Sequence, residues 1–421
     1  MSIGIDQQNR FLQVQLLFGR GTSKHRGDNL EHPLLQSYGP LEGWHILLVI
    51  GLISIGFFTY QVQKATRLVM LGSSDDRFDS WSTRISEFIS GWLFQKKVLR
   101  DKVAGTMHVL MFWGFLMLAS DMLDLATANA FSGKVLPAIL VGPWNGMVEL
   151  GYFMALVGCV SALTRRVVFT PEKLKGKSQL EGNVILLLIF TITTTSFMVE
   201  SAESPSSFWE PLGYWFSEQG LSEQTVILSY WAHMLAISVF LFLIPLSKHM
   251  HLVMAVPNVF FHDAGPMARM RPLATGDDGK AVPLEELDID SFGVSTYNQY
   301  SWRQLIDGWS CTSCARCQDV CPAYASGKGL NPMQVIHDVR NYANDHAPIL
   351  LSGGQPDETM LERITEEAVW ACTTCNACVD VCPLYIEHVP KLTDLRRNAM
   401  METMEYPEVL NLSLIHISEP T

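Results

Sequence analysis

The stretch Trp231–Val253, WAHMLAISVFLFLIPLSKHMHLV, is apolar enough to lie in a bilayer, yet it carries His233, His249 and His251. Histidine inside a membrane helix is costly and is read as functional by default. The stretch therefore raises two questions: whether the rest of the chain is built to span a membrane, and what the histidines hold.

The composition answers the first. The chain has 421 residues, 48% of them hydrophobic and only 17% charged, against about 25% charged in soluble domains. A net charge of −12 argues against a nucleic-acid partner, since a phosphate binder presents a basic face. Phe11–Gly19, FLQVQLLFG, is too short and too broken by glutamine for a signal sequence. Five apolar runs reach the roughly 20 residues that a spanning helix needs: 44–63, 103–125, 144–163, 182–199 and 226–247.

Lysine and arginine set the expected orientation. Lys64, Arg67, Arg77, Arg84, Lys96, Lys97, Arg100 and Lys102 lie between the first two runs, and only Lys134 between the next two. Arg165, Arg166, Lys173, Lys175 and Lys177 follow the third. The last connection has Glu203, Glu210, Glu218 and Glu223 but no cation. The alternation puts the N-terminus outside a plasma membrane and everything after Ser247 in the cytoplasm, although the translocated N-terminal segment carries Arg10, Arg20, Lys24 and Arg26. In the first cytoplasmic connection Ile85, Phe88, Ile89, Trp92 and Leu93 recur at helical spacing. They fit a helix lying on the membrane surface or one packing on the cytoplasmic domain.

Eight of nine cysteines fall in two runs. Cys311, Cys314, Cys317 and Cys321 are followed by Pro322, and Cys372, Cys375, Cys378 and Cys382 by Pro383. Both read C-x2-C-x2-C-x3-C-P, the spacing of two-cluster ferredoxins, in which three cysteines hold one 4Fe–4S cluster and the fourth reaches the other. The spacing predicts one cluster on Cys311, Cys314, Cys317 and Cys382 and one on Cys372, Cys375, Cys378 and Cys321. Structural zinc favours two separate C-x2-C pairs, and disulfides do not suit the cytoplasm. Helical periodicity in NPMQVIHDVRNYAND and DETMLERITEEAVWAC predicts a mainly helical domain around them. Cys159, alone in the third run, reads as packing.

Haem b in a bundle takes neutral imidazoles from two helices. The second run offers His108 and the fifth offers three histidines. His233 and His251 are 18 residues apart, five whole turns of a continuous helix, so they would share a face roughly 27 Å apart. His249 falls about 160° away from that face, unless Pro245 bends the helix. His108 and His251 lie at compatible depth and form the expected haem pair. His233 lies at the outer level, where the residue ten beyond His108 is Leu118. Met117, Asp121, Met122 and Asp124 are the substitutes nearby. Asp121, Asp124 and Lys134 are also candidates for a proton path.

These residues resemble the gamma subunit of respiratory nitrate reductase, a dihaem cytochrome b, in the order His233, Pro245, His251, Pro257, with Leu118 in place of that family's second ligand on its second helix. The cysteine region resembles the C subunit of heterodisulfide reductase, an α-helical ferredoxin. The fusion resembles membrane-bound heterodisulfide-reductase-related proteins, which include electron-transfer-flavoprotein:menaquinone oxidoreductases. The resemblance implies an all-α chain: an extracytoplasmic segment 1–43, a five-span haem b domain 44–256, a linker 257–304 and a two-cluster ferredoxin domain 305–411. That family usually continues into cysteine-rich CCG domains. Leu412–Thr421, LSLIHISEPT, resembles adapter read-through, so truncation is expected. The function implied is electron transfer between a soluble electron-transfer flavoprotein and menaquinone, through two 4Fe–4S clusters and one or two haems b. The alternatives are a quinol-fed heterodisulfide- or sulfur-linked reductase component and a non-enzymatic anchored relay or redox sensor.

Overall fold

The computed structural model describes residues 33–34, 36–130, 138–169, 177–203, 205–266, 272–273, 282–283, 286, 292–404 and 406–408, with no side chains described at 121–130, 138–139, 177–178 and 203. Lys134, most of segment 1–43 and the tail 412–421 lie outside what is described, as do the side chains of the proton-path candidates Asp121 and Asp124 and of the substitute ligand Met122. The chain is mainly helical with almost no strand. It divides into two compact units, one of residues 1–59 and 98–243, the other of 60–97 and 244–421.

In the first unit the paired strands β1 (Ser37–Tyr38) and β2 (Leu41–Glu42) lead into α1 (Gly43–Val69), whose later part belongs to the second unit. The turn between them needs Gly39, at φ 70°. α2 (Trp81–Phe88) belongs to the second unit; α3 (Lys102–Ala130), α4 (Ala138–Val167), α5 (Lys177–Glu200), α6 (Pro211–Glu218) and α7 (Glu223–Leu243) complete the first. Among the described residues five helices are long and apolar enough to cross a membrane: α1, α3, α4, α5 and α7.

Small residues let α3 and α4 approach closely, as in membrane helix pairs. A Cβ on Gly114 would stand 2.7 Å from Gly151 O, and one on Gly158 2.8 Å from Met107 O. The hydroxyls of TITTTS in α5 turn back on their own helix, Thr193 to Ile189 O at 2.9 Å and Ser196 to Ile192 O at 2.8 Å. An apolar medium offers these hydroxyls no other acceptor. Cys159 is fully buried and donates to Leu186 O at 2.9 Å.

The fifth span departs from the single helix that the turn count assumes. α7 stops at Leu243; a turn over 244–247 and a 3-10 turn Lys248–Met250 separate it from α8 (His251–Phe260). Pro245 has no N–H to continue the ladder and its ring opposes the carbonyl four residues back. His233 and His251 therefore stand on different helices, and counting turns from one to the other assigns no common face. The extended linker also starts later than expected, since α8 runs through Pro257 to Phe260.

In the second unit α2 passes into a π-helical turn, Ile89–Leu93. One face of this piece packs on α8, with Phe88 and Phe260 rings 5.6 Å apart and Arg84 donating to His262 O at 2.7 Å. Phe78, Ile85, Ile89 and Phe94 stay exposed. Packing on the second unit, one of the two readings of this stretch, thus accounts for only one of its faces.

From residue 292 on, α9 (Trp302–Ser310), α10 (Arg316–Asp319), α11 (Pro322–Ala325), α12 (Pro332–Asp345), α13 (Ala347–Leu351), α14 (Met360–Ile364), α15 (Glu366–Ala371), α16 (Ala377–Val381) and α17 (His388–Asn398) follow in close succession. Their starts are written locally. Ser301 with Gln304 and Thr359 with Glu362 form capping boxes, and Asn331 accepts from Met333 N ahead of Pro332 at the first turn of α12. The core combines Leu305, Val339, Tyr342 and Leu392 with Ala65, Leu68 and Val69 from the end of α1.

Candidate iron–sulfur centres

The two cysteine runs follow one backbone path twice. Cys311 caps the C-terminus of α9 and Cys372 that of α15, both in extended conformation. Two and four residues later come left-handed residues: Ser313 (φ 55°) and Ala315 (φ 62°), Thr374 (φ 53°) and Asn376 (φ 59°). Left-handed non-glycine residues cost on the order of 1 kcal/mol each, and here they curl the chain so that amide N–H groups face sulfur. Thr374 N donates to Cys372 Sγ at 3.4 Å, and Ser313 N to Cys311. Such bonds tune the potential of a bound cluster.

The cysteines gather across the runs. Cys382 lies beside Cys311 and Cys314, and Cys317 beside all three. Cys321 lies beside Cys372 and Cys378. Cys311 and Cys382 share an apolar nest with Ile336 and Ile386. Cys321, Cys372, Cys375 and Cys378 line one cavity, with Pro322 and His388 on its wall. Among the described residues no three His, Cys, Asp or Glu side chains converge on a single ion. Thiolates that hold a four-iron cubane surround a volume instead of meeting at a point. The donor set and the cavity fit a 4Fe–4S cluster.

Burial pushes the Cys311 thiol up to about 11 and Cys378 and Cys382 up to about 12. The free thiols are therefore protonated at neutral pH, and bound iron supplies the charge that displaces their protons.

A buried ionic network brings the start of the first run to the end of the second. Arg303 and Asp307 on α9 and Lys391 on α17 are fully buried. Arg303 reaches Asp307 Oδ1 (2.8 Å), Asn258 Oδ1 (2.9 Å) and Tyr385 O (3.0 Å). Lys391 Nζ donates to Asp307, and Asp307 also accepts from Glu387 N at 3.1 Å. Arg77, ahead of α2, pairs with Glu387 at 3.1 Å. Burial opposes the Asp307 carboxylate, but Lys391 and Arg303 hold its pKa below the ordinary value. Around the other centre Arg396 donates to Val369 O (2.7 Å) and to Cys372 O (2.5 Å). Only the i,i+4 spacing of Arg303 and Asp307 hints at this network in the sequence.

The histidines divide differently from the cysteines. His108 lies on α3 and His233 on α7, in the first unit; His249 and His251 lie in the second. His233 Nδ1 is 3.1 Å from Ile192 O and 3.1 Å from Thr195 Oγ1. His251 Nδ1 is 2.9 Å from Lys248 O, and its burial favours the neutral ring. Anchoring Nδ1 on a carbonyl leaves Nε2 as the ligating nitrogen, the usual arrangement of an axial histidine. His249 turns its Nδ1 to Ser247 Oγ at 3.0 Å. Met117 lies where α3 approaches α4: a Cβ on Gly151 would stand 2.8 Å from its own.

The sequence model of the 4Fe-4S dicluster domain matches residues 303–383. The chain is 28% identical over 406 residues to EtfAB:quinone oxidoreductase of Syntrophomonas wolfei subsp. wolfei, covering 86% of this chain and 55% of that protein. It is 27% identical over 398 residues to the probable iron-sulfur-binding oxidoreductase FadF of Bacillus subtilis, covering 84% and 55%. Over 105 residues it is 32% identical to the C subunit of the ferredoxin:CoB-CoM heterodisulfide reductase of Methanosarcina mazei, covering 24% and 53%. The chain thus spans about half the length of these relatives, which are named as oxidoreductases or parts of them. No solved structure matches the chain.

Proposed function

We propose that the chain is the membrane-anchored electron-transfer part of a quinone-linked oxidoreductase, carrying electrons between a soluble electron-transfer flavoprotein and menaquinone. The observation that carries the reading is the crossed gathering of eight cysteines into two quartets on a chain that also has five helices fit to span a membrane. The name of the Syntrophomonas relative supports a flavoprotein and a quinone as partners, and menaquinone as that quinone is what the family resemblance implies. When bound, the two 4Fe–4S clusters supply one-electron carriers. Cys311, Cys314, Cys317 and Cys382 would hold one and Cys372, Cys375, Cys378 and Cys321 the other. His108 and His251 would hold a haem b and His233 is the candidate for a second, supported by the anchored Nδ1 of His233 and His251. The chain's own part is to fix those ligands, exclude water around the sulfurs and set potentials through amide N–H groups. The lysine and arginine distribution supports a cytoplasmic side for the cysteine unit.

The test uses the full chain purified in detergent. Iron and sulfide should each approach eight per chain, about four for each cluster, and a pyridine-haemochrome assay should count haem. Reduced flavoprotein should bleach the iron–sulfur absorbance and menaquinone should restore it. Loss of haem in His108→Ala would support the pairing with His251, and unchanged haem refutes it. Bleaching by flavoprotein with no response to quinone would overturn the quinone link.

A second reading rests on the Methanosarcina relative: a quinol-fed component delivering electrons to a disulfide. Menaquinol would then reduce the clusters and a disulfide would reoxidise them.

A further inference from the structure

A second cavity, of about 200 Å³, lies away from the cysteine quartets in the second unit. Its wall is formed by Gln61 and Lys64 of α1, Ser247 after the break in the fifth span, and Arg340, Asn341 and Asn344 of α12. Ala65, Pro245, Leu246, Met250 and Trp309 complete it, and no carboxylate lines it. Among the described residues neither Lys64 nor Arg340 has a carboxylate partner. Two cations, three amides and a hydroxyl thus converge with no acid to neutralise them. The cavity draws on the later parts of two candidate spans: Lys64 lies in the last two turns of α1, and Pro245 and Ser247 follow α7.

We propose that this cavity binds the phosphate-bearing headgroup of an anionic phospholipid. Lys64 and Arg340 supply the charge, and Gln61, Ser247, Asn341 and Asn344 supply hydrogen-bond donors. Basic pockets beside the ends of membrane helices take such headgroups, and a guanidinium suits phosphate oxygens. The quinone reading has less support here, because the wall is mostly polar and a quinone ring needs apolar faces.

The site has a consequence for the first cysteine quartet. Arg340 bears electrostatically on Cys311, and Trp309 stands two residues before it. Its cation favours the reduced, more negative state of a cluster held there. A headgroup phosphate offsets that cation, so anionic lipid should lower the midpoint potential of this cluster and leave the other unchanged.

The experiment places the cofactor-loaded full chain in nanodiscs of phosphatidylcholine, with or without phosphatidylglycerol. Retained lipid is counted by mass spectrometry after transfer to detergent, and both midpoints are followed by electron paramagnetic resonance. Wild type should retain phosphatidylglycerol, and its Cys311-side midpoint should fall when that lipid is present. Lys64→Gln/Arg340→Gln should lose several-fold of the retained lipid and the lipid-dependent fall. Asn341→Asp, at an exposed position, adds a repelling charge without touching the core and should act in the same direction. Equal retention in wild type and Asn341→Asp overturns the site. Saturation by inorganic phosphate in phosphatidylcholine discs would assign the cavity to a soluble anion and overturn the lipid source. Photolabelling of this wall by an azidoquinone, displaced by menaquinone and not by phosphatidylglycerol, would assign it to quinone and overturn the proposal.

Discussion

Cys321 and Cys382 carry the most information of any single residues, because each sits in one run and points to the quartet of the other. Crossed ligation has a combinatorial signature. Cys321→Ser/Cys375→Ser should lose one cluster, about half the iron, because both cysteines serve the same cavity. Cys317→Ser/Cys321→Ser, two changes within one run, should lose both clusters. Iron and sulfide counts decide, and the reverse pattern would mean that each run holds its own cluster. His262 gives a pH prediction at the same scale. Its Nδ1 faces Val259 O at 2.7 Å, its Nε2 faces Glu87, Arg303 stands nearby, and its ring lies 4.5 Å from Tyr385. Burial holds its pKa below the ordinary value although Val259 O and Glu87 favour the charged ring. The unfolded ring therefore protonates first as pH falls below about 6.5. Its contribution to stability is full above that pH and drains on acidification. Urea midpoints at pH 7.5 and 5.5 should differ more in wild type than in His262→Gln, and equal differences would refute the assignment.

Elements meet through buried polar groups. Asp307 joins α9 to α17 by accepting from Arg303, Lys391 and Glu387 N. Asp307→Ala takes the carboxylate from buried Lys391 and leaves Arg303 only the Glu387 carboxylate, at 3.5 Å; removing one partner of a buried pair typically costs about 3–5 kcal/mol. It also frees the segment after Cys382 from α9, so the Cys311-side cluster should be lost first and the other retained. Electron paramagnetic resonance would separate the two, and equal loss of both would refute the role of Asp307. In the first unit Gly114→Val would drive a side chain into Gly151 O and Ala155. Overpacking of this kind costs about 1–3 kcal/mol, and a lower thermal midpoint in detergent is expected, whereas an unchanged midpoint would show that α3 and α4 can part freely. The break after Leu243 was hinted at by Pro245, yet the apolar run continues across it, so a residue count could not reveal that two helices share the segment.

At the scale of the molecule, the cysteine unit is assembled from two stretches far apart in sequence. Leu68 and Val69 enter its core, Asp75 accepts from Ser301 Oγ at 3.0 Å, and Arg77 pairs with Glu387. A fragment of residues 292–408 should therefore bind less iron and unfold at lower urea than the full chain. Full iron content in that fragment would show that residues 60–97 are dispensable. The domain boundary expected at residue 305 leaves out this contribution, because Arg77 and Asp75 read as ordinary charges in a basic connection.

The sequence by itself determined the features that depend on local chemistry: five apolar runs long enough for a bilayer, the helical character of the cysteine region, and the dicluster spacing that the domain match at 303–383 reflects. Hydropathy, periodicity and ligand spacing are properties of neighbouring residues and need no fold to be read. Only the tertiary structure decided which groups meet. It gathered the quartets across 50 residues of intervening chain, enclosed Arg303, Asp307 and Lys391 as one network, broke the fifth span ahead of His251, and brought Lys64 to Arg340. Those outcomes follow from burial and long-range contact, which no local pattern encodes.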